Sequence, residues 1–275
     1  MNQAADLDHV GVVGQDLTAL ATTFEQLGFH LTPLARHAGG RTGNRCVMLR
    51  EGGYLELMST IDGGTSTTLN RFLVRYAGAH ILALGIEDAD AVLARLRLAW
   101  AGVPDVSRTA RAVDDGEAEG PRARFSFITP ADPPEGRVQL IRHETPEALW
   151  QDRFLHHANN AMALDEVIMA VPEPAVTAAW YSALAGRPVV PDPAGGYVLA
   201  LPRGKVRMLS PAGLAMALPG TVAPALPFIA GLSLRTGDAN AALRRLLSTC
   251  AIPHRTSGDA IIAEAAGVTL RFHGV

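Results

Sequence analysis

The sequence predicts an α+β fold built from four βαβββ modules, and three observations lead to this prediction. A short apolar strand, a small or acidic turn and an amphipathic helix follow one another four times, beginning at His9, His80, Glu166 and Gly231. A glycine and a short strand close each unit, at Gly53, Gly136, Gly204 and Gly267. The stretch between each helix and its closing strand is long enough for two further strands. Each sheet must bury its open face, so we expect the modules to pack in pairs.

Each predicted helix begins beside a carboxylate, and the four residues are Asp16, Asp88, Glu173 and Asp238. A carboxylate at this position accepts hydrogen bonds from the free amides of the first turn and meets the positive end of the helix dipole. The helical patterns run for about three turns, which is the common length in globular proteins. These caps support the strand, turn, helix order of every unit.

Composition limits the class of protein further. The chain has 275 residues, 48% hydrophobic and 19% charged, which is enough apolar material for a full core. Its net charge of -3 provides no basic surface for a nucleic acid or an anionic membrane, so we expect neither partner. Residues 208–234 carry no charge, but four prolines exclude a membrane-spanning helix there.

Cysteine usage and the N-terminus predict a cytoplasmic protein. The two cysteines, Cys46 and Cys250, are too few for a disulfide framework. Cys46 precedes the apolar Val47 and Met48, which favours a buried strand cysteine over a nucleophile. The first residues, MNQAADLDHV, lack the basic flank and apolar run of a secretory signal.

Four segments carry a resemblance to a known family: LDHVGVVGQDL, RHAGGRTGNR, GGYLELM and HHANNA. Together with the repeated unit, they resemble glyoxalase-like domain proteins of the vicinal oxygen chelate superfamily. That superfamily includes glyoxalase I, extradiol dioxygenases and bleomycin- and fosfomycin-resistance proteins. The resemblance implies that paired modules form two cup-shaped domains. We therefore predict a first pair over 1–145, a connector over 146–163 and a second pair over 164–275.

The resemblance also implies a metal site in the first pair. Its ligands would be His9 and His80 at the starts of two equivalent strands, and Glu56 and Gln139, each three residues after a closing glycine. Such a mixed nitrogen and oxygen set suits a divalent Zn, Ni, Co, Mn or Fe ion, and the ligand types do not choose among them.

The second pair does not repeat these ligands. Its equivalent positions hold Glu166, Arg207, Gly231 and either Leu270 or Arg271, depending on the register. Two arginines and a glutamate favour an ion pair or an anion-binding pocket over a metal.

Further polar residues are predicted around the cup. The resemblance to glyoxalase I implies that Glu56 is the base, and His143, four residues beyond Gln139 on the same strand face, is a second candidate acid or base. The polar residues of the glycine-rich loop are expected either to contact a substrate or to form a solvated turn, and the resemblance implies that those of HHANNA contact a substrate. These are His37, Asn44, Arg45, His157 and Asn159.

The sequence leaves three functions open. The first is a metal-dependent lyase or isomerase that acts on a small vicinal-oxygen substrate through an enediolate-like intermediate, in which the metal stabilises the developing negative charge. The second is a non-catalytic, resistance-type binding protein for a small molecule. The third is an extradiol-type dioxygenase. In each case the partner is a small molecule, and the chain would be a monomer or a homodimer.

Overall fold

A computed structural model describes residues 3–37, 39–114, 119–130, 133, 136–237 and 240–274. The first stretch contains β1 (Ala4–Val13), α1 (Leu17–Gln26), β2 (Ala35–Arg36), β3 (Thr42–Met48) and β4 (Tyr54–Thr60). After α2 (Thr67–Arg75) come β5 (Gly78–Ile86), α3 (Ala89–Ala99), β6 (Ser107–Ala112), β7 (Arg122–Ile128) and β8 (Arg137–His143).

Two short 3-10 turns, Pro146–Ala148 and Asp152–Phe154, lead into the second half. There follow β9 (Ala161–Ala170), α4 (Pro174–Ala185), β10 (Val189–Asp192), β11 (Gly196–Ala200) and β12 (Lys205–Leu209). The chain continues with α5 (Pro211–Ala217), β13 (Phe228–Thr236), α6 (Asn240–Thr249), β14 (His254–Ser257), β15 (Ala260–Ala265) and β16 (Val268–His273). The element order confirms the predicted α+β class.

The strand pairing is the same in both halves. In the first half β1 pairs antiparallel with β5, β1 pairs parallel with β4, and β5 pairs parallel with β8. In the second half β9, β13, β12 and β16 take the corresponding places. The halves meet where β13 pairs with β5, at Ile229 and Ala79. The division of the chain into domains at 145 and 164 stays a prediction.

Two of the four predicted carboxylates cap their helices. Asp16 accepts hydrogen bonds from the amides of Thr18 and Ala19, and Asp88 accepts one from Ala91. Glu173 makes no such bond, and Pro174 occupies the first helical position there. Asp238 lies outside the described residues.

The two sheet halves differ in what covers their second face. One continuous core includes Phe24, Leu84, Tyr181 and Leu247, which are all buried. Helix α5 covers part of the opposite face of the second half, where Leu214 and the following Leu218 join the buried cluster of Ile168 and Ala230. The opposite face of the first half keeps an open cavity. No described helix is long and apolar enough to cross a lipid bilayer.

The backbone conformation explains why a glycine precedes each closing strand. All four have positive φ, and at Gly136 (φ 149°) an added Cβ would lie 1.9 Å from the carbonyl oxygen of His80. Only a residue without a side chain allows β8 to begin so close to β5.

We therefore expect Gly136→Ala to destabilise the protein by about 3 kcal/mol or more, through backbone strain and overpacking together. Gly102→Ala is the matched control, because Gly102 also has positive φ but an added Cβ would meet nothing within 4 Å. The control should cost about 1 to 2 kcal/mol. Urea unfolding of both variants measures the difference, and equal losses would contradict the steric argument.

Candidate functional site

A cavity of about 390 Å³ opens on the free face of the first sheet half. Its walls come from β1, β4, β5, β6, β7 and β8, and the start of α2 lies at one side. Aromatic and aliphatic side chains form most of the lining, including Tyr54, Met58, Ile81 and Phe125. The polar lining includes His9 and His37, which lie beside Glu56, and this grouping makes the cavity the candidate functional site.

Three side chains surround the Glu56 carboxylate. The Asn44 side-chain amide and His37 Nε2 both donate to Oε1, the latter at 3.4 Å. His9 Nε2 lies 3.8 Å from Oε2. His37 is itself oriented by Thr42, whose Oγ1 is 2.9 Å from Nδ1. Of the predicted set, His9, His37, Asn44 and Glu56 are therefore brought together.

Strand register explains this convergence. Gly11 of β1 stands beside Glu56 of β4 in the parallel pair, and His9, two residues before Gly11, lies on the same strand face. Asn44 of β3 is diagonal to Glu56, because Cys46 is directly opposite it. Diagonal pairs of this kind are within side-chain reach.

Glu56 is ionised at neutral pH. Burial raises the pKa of this carboxyl, but the hydrogen bond from His37 and the charges of His9, His37 and Arg111 outweigh burial and lower the pKa to about 2. The carboxylate is only 12% exposed. The site is thus built around a fixed negative charge in a mostly apolar cavity.

His80 is a correction to the predicted metal set. Ala83 of β5 stands beside Gln139, just as Gly11 stands beside Glu56, so the position equivalent to His9 is Ile81. His80 is the extra residue of a β-bulge, and its ring is stacked between Phe72 and Tyr76. Its Nε2 donates to the carbonyl oxygen of Tyr76 at 2.8 Å. His80 is a core histidine and does not line the cavity.

The four predicted ligands therefore do not form a metal site as placed. His9, Glu56 and Gln139 line the cavity and His80 does not. Within the described part of the chain, no three His, Cys, Asp or Glu side chains are grouped closely enough to hold one ion. Without His80 the predicted set of four ligands is incomplete, and no chemical step below depends on an ion.

His143 does not reach the cavity either. It lies behind His9, where its Nε2 donates to both oxygens of Asp8 at 3.1 Å. Asp8 also accepts a hydrogen bond from His9 Nδ1 at 2.7 Å. Burial raises the pKa of Asp8, but the charges and hydrogen bonds of His143 and His9 outweigh it and hold this pKa well below its usual value.

Arg45 is a structural residue. Its Nε donates to the carbonyl oxygen of Thr32 and its guanidinium pairs with Glu25. It does not line the cavity.

His157 and Asn159 are structural as well. His157 accepts from the amide of His30 and donates to the carbonyl oxygen of Met48, and burial lowers its pKa. Asn159 bonds the carbonyl of Leu27 and the amide of Ala161. These two residues attach the connector to the first half of the chain and do not line the cavity of Glu56.

Two arginines in the cavity were not predicted. Arg111 of β6 and Arg137 of β8 line it, and neither is ion-paired with another described residue. The sequence could have indicated Arg137, since it stands two residues before Gln139 and lies on the same strand face. Arg111 had none, because the pairing of β6 with β7 could not be derived from the sequence.

Charged side chains of the second half pair with one another. Arg207 donates twice to Asp192, at 2.6 and 2.9 Å, and lies 3.7 Å from Glu166. Glu166 also accepts from Ser233 at 2.8 Å. This agrees with the predicted ion pair. Cys46 is buried as predicted, and burial raises its pKa to about 12.

Comparisons with known proteins agree with this architecture. A family model described as "Glyoxalase-like domain" matches residues 7–185. A hypothetical protein from Staphylococcus aureus is similar in structure, with a TM-score of 0.70 and 15% identity over 98% of this chain and 99% of that one. No curated protein matches the sequence.

Two enzymes of known structure share the fold. A mutant of 4-hydroxymandelate synthase from Streptomyces coelicolor has a TM-score of 0.63 and 14% identity, over 99% of this chain and 93% of that one. Homoprotocatechuate 2,3-dioxygenase from Arthrobacter globiformis has a TM-score of 0.57 and 14% identity, over 100% and 80%. At these identities the likeness shows the fold alone. Since the family model spans well over half of the chain, this protein belongs to the glyoxalase-like domain family of the vicinal oxygen chelate superfamily.

Proposed function

We propose that this chain is a lyase or isomerase that moves a proton on a small anionic molecule with two neighbouring oxygen atoms. The observation that carries the proposal is the ionised Glu56 carboxylate between His9 and His37, inside a cavity of about 390 Å³. A cavity of this size is at the small end of ligand pockets, so it suits a small molecule.

The two arginines support an anionic substrate. Arg111 and Arg137 line the same cavity as Glu56, and neither forms a direct ion pair with a carboxylate of the described residues, although the charge of Arg111 helps to lower the pKa of Glu56. Arginine binds carboxylates through paired hydrogen bonds, which gives orientation as well as affinity. A carboxylate on the substrate would satisfy both charges and place the rest of the molecule towards Glu56.

The chemistry would be proton transfer next to a carbonyl. Glu56 accepts the proton of the C–H bond beside the carbonyl carbon, and the bonding electron pair moves to form the enediolate. The arginines stabilise the oxygen anion that develops. Return of the proton to the former carbonyl carbon, with the hydroxyl proton passing between the two oxygens, completes an isomerisation. Loss of a leaving group from the carbon on the other side of the deprotonated carbon, with its bonding electron pair, completes an elimination. Positioned acid and base groups contribute about 10² to 10⁴ to such rates.

A proton-exchange screen tests the proposal and does not require the product to be identified. Small 2-oxo acids, 2-hydroxy acids and thiol adducts of 2-oxoaldehydes are incubated with the protein in D₂O, and ¹H NMR follows loss of the proton beside the carbonyl. We expect exchange with at least one anionic compound. Tight binding without exchange would overturn catalysis in favour of the binding-protein alternative.

Two additions to the screen cover the other functions. Elemental analysis of the untagged protein and of a His9→Ala, Glu56→Ala variant tests for a bound divalent ion. Oxygen uptake with catechols and Fe²⁺ tests the dioxygenase alternative. Oxygen uptake that depends on Glu56 would replace the proposal.

The arginines give a separate prediction. We expect Arg111→Gln and Arg137→Gln each to raise the KM of the anionic substrate about tenfold or more, which is the usual value of a charged hydrogen bond. Arg142→Gln is the matched control, since Arg142 is on the same strand as Arg137 but donates to the carbonyl oxygen of Glu87, outside the cavity. Steady-state kinetics check this. Unchanged KM in both cavity variants would contradict an anionic substrate.

A further inference from the structure

We propose that Asp8 and His143 are positioning residues that hold His9 as a second acid and base group facing Glu56. Asp8 would fix His9 in the tautomer with hydrogen on Nδ1, and His143 would fix Asp8. The inference rests on the proposed function, because it assigns a catalytic part to His9. Asp8 and His143 themselves do not line the cavity that contains Glu56.

A β-bulge makes the contact possible. Leu7 pairs with Leu84 and His9 pairs with Ala83, so Asp8 is an extra residue of β1 at this point. Neighbouring side chains on a regular strand point to opposite faces and do not meet. Here Asp8 Oδ1 and His9 Nδ1 lie 2.7 Å apart. Bulges next to active sites commonly turn a side chain in this way.

Asp8 is buried, and its carboxylate accepts hydrogen bonds from two imidazole rings. It is 4% exposed, and His143 Nε2 donates to both of its oxygens at 3.1 Å. The other ring nitrogen of His143 is buried without a hydrogen-bond partner among the described residues. Its bond to Asp8 is therefore the one polar contact that His143 makes in the described structure.

Aromatic packing fixes both imidazoles. The His9 ring is stacked on Tyr54 with centroids 4.4 Å apart. The edges of the His143 ring meet Tyr54, Phe125 and Trp150, with centroids 6.0, 5.3 and 4.9 Å apart. Neither ring is free to turn away from Asp8, so the order His143, Asp8, His9 is set by packing as well as by hydrogen bonds.

The tautomer of His9 follows from the chemistry of its partner. An ionised carboxylate only accepts, so His9 Nδ1 carries the hydrogen, and the lone pair of neutral His9 is on Nε2. Nε2 faces Glu56 Oε2 at 3.8 Å, which is too long for a hydrogen bond and leaves both groups available to a substrate. A carboxylate that orients a histidine in this manner is a recurrent feature of acid and base sites.

Long-range ¹H–¹⁵N NMR of protein labelled in histidine tests this without a substrate. The His9 signals are identified by their absence in His9→Gln. We expect wild-type His9 to carry hydrogen on Nδ1, and Asp8→Asn to shift His9 towards the Nε2–H tautomer, because the amide can donate to the ring. A wild-type His9 with hydrogen on Nε2 and none on Nδ1 would overturn the inference, whether or not Asp8→Asn folds.

Kinetics with a substrate from the exchange screen give the second readout. Asp8→Asn should lower kcat by about a hundredfold or more with little change in KM. His143→Phe keeps the ring packing and loses the donor, and His143→Gln restores a donor, so His143→Gln should recover part of the kcat that His143→Phe loses. His156→Gln is the control, since His156 is exposed and bonds only Asp152 among the described residues.

The two proposals fail separately. If His9 has the expected tautomer but Glu56→Gln leaves exchange unchanged, the proposed function is wrong and the positioning of His9 stands as structure alone. If exchange depends on Glu56 but kcat is unchanged in Asp8→Asn, the positioning role is wrong.

Discussion

Glu56→Gln is expected to reduce kcat by about 10² to 10⁴, the usual loss when a general base is removed. Glutamine has the shape of glutamate, and its carbonyl oxygen still accepts a hydrogen bond from Asn44 or His37. It cannot accept a proton at neutral pH. KM should change little, because the arginines hold the anionic part of the substrate. The rate of proton exchange in D₂O measures the effect directly.

Glu144→Gln controls for the loss of one negative charge in the same half of the chain. Glu144 accepts from Ser126 and pairs with Arg142, and it does not line the cavity. Its variant should exchange the substrate proton at the wild-type rate. Exchange that is unaffected by Glu56→Gln would show that Glu56 is not the base.

Much of the fold could be derived from the sequence because its signals are local. Helices begin at carboxylates, as Asp16 and Asp88 show, and closing strands begin at glycines whose positive φ the structure requires. Gly136 is such a case, since any side chain there would meet the backbone of β5. These constraints act within a few residues and therefore leave a readable pattern.

The site depends on strand register, and register is where sequence reasoning failed. His80 is one residue away from the place equivalent to His9, and a bulge in β5 turns its ring into the core. The bulge at Asp8 has the opposite effect and brings Asp8 next to His9. Bulges are set by long-range pairing of strands, which a single sequence does not reveal.

Residue type also led to wrong predictions where a polar side chain forms hydrogen bonds with backbone groups. His157 and Asn159 were predicted to contact a substrate because a similar His and Asn pair recurs in the glyoxalase-like group that the sequence resembles. Both are buried, and all their bonds in the described structure go to backbone groups of the first half and the connector. A buried polar side chain must satisfy its hydrogen bonds, and an irregular connector offers unpaired backbone groups to do so.

Acid should destabilise the protein through the same carboxylate that we propose as the base. The pKa of Glu56 falls from its usual 4.5 to about 2 in the folded protein, in spite of burial, because of His37, His9 and Arg111. A lowered carboxyl pKa adds stability that is present above the unfolded value and is lost as pH falls through the folded value. The contribution of Glu56 should therefore disappear between pH of about 5 and 2, and it amounts to about 3 kcal/mol.

Urea unfolding of wild type and Glu56→Gln across that pH range isolates the contribution. The free energy of unfolding of wild type should approach or fall below that of Glu56→Gln as pH decreases, since glutamine does not titrate. Glu264→Gln, at an exposed ion pair with Arg255, controls for the loss of one carboxylate. His37→Phe should weaken the pH dependence, because it removes the hydrogen bond that does most to lower the pKa of Glu56. If the curves of wild type and Glu56→Gln stay parallel down to the lowest pH, the carboxylate is not held by its imidazole neighbours, and the acid and base site loses its electrostatic basis.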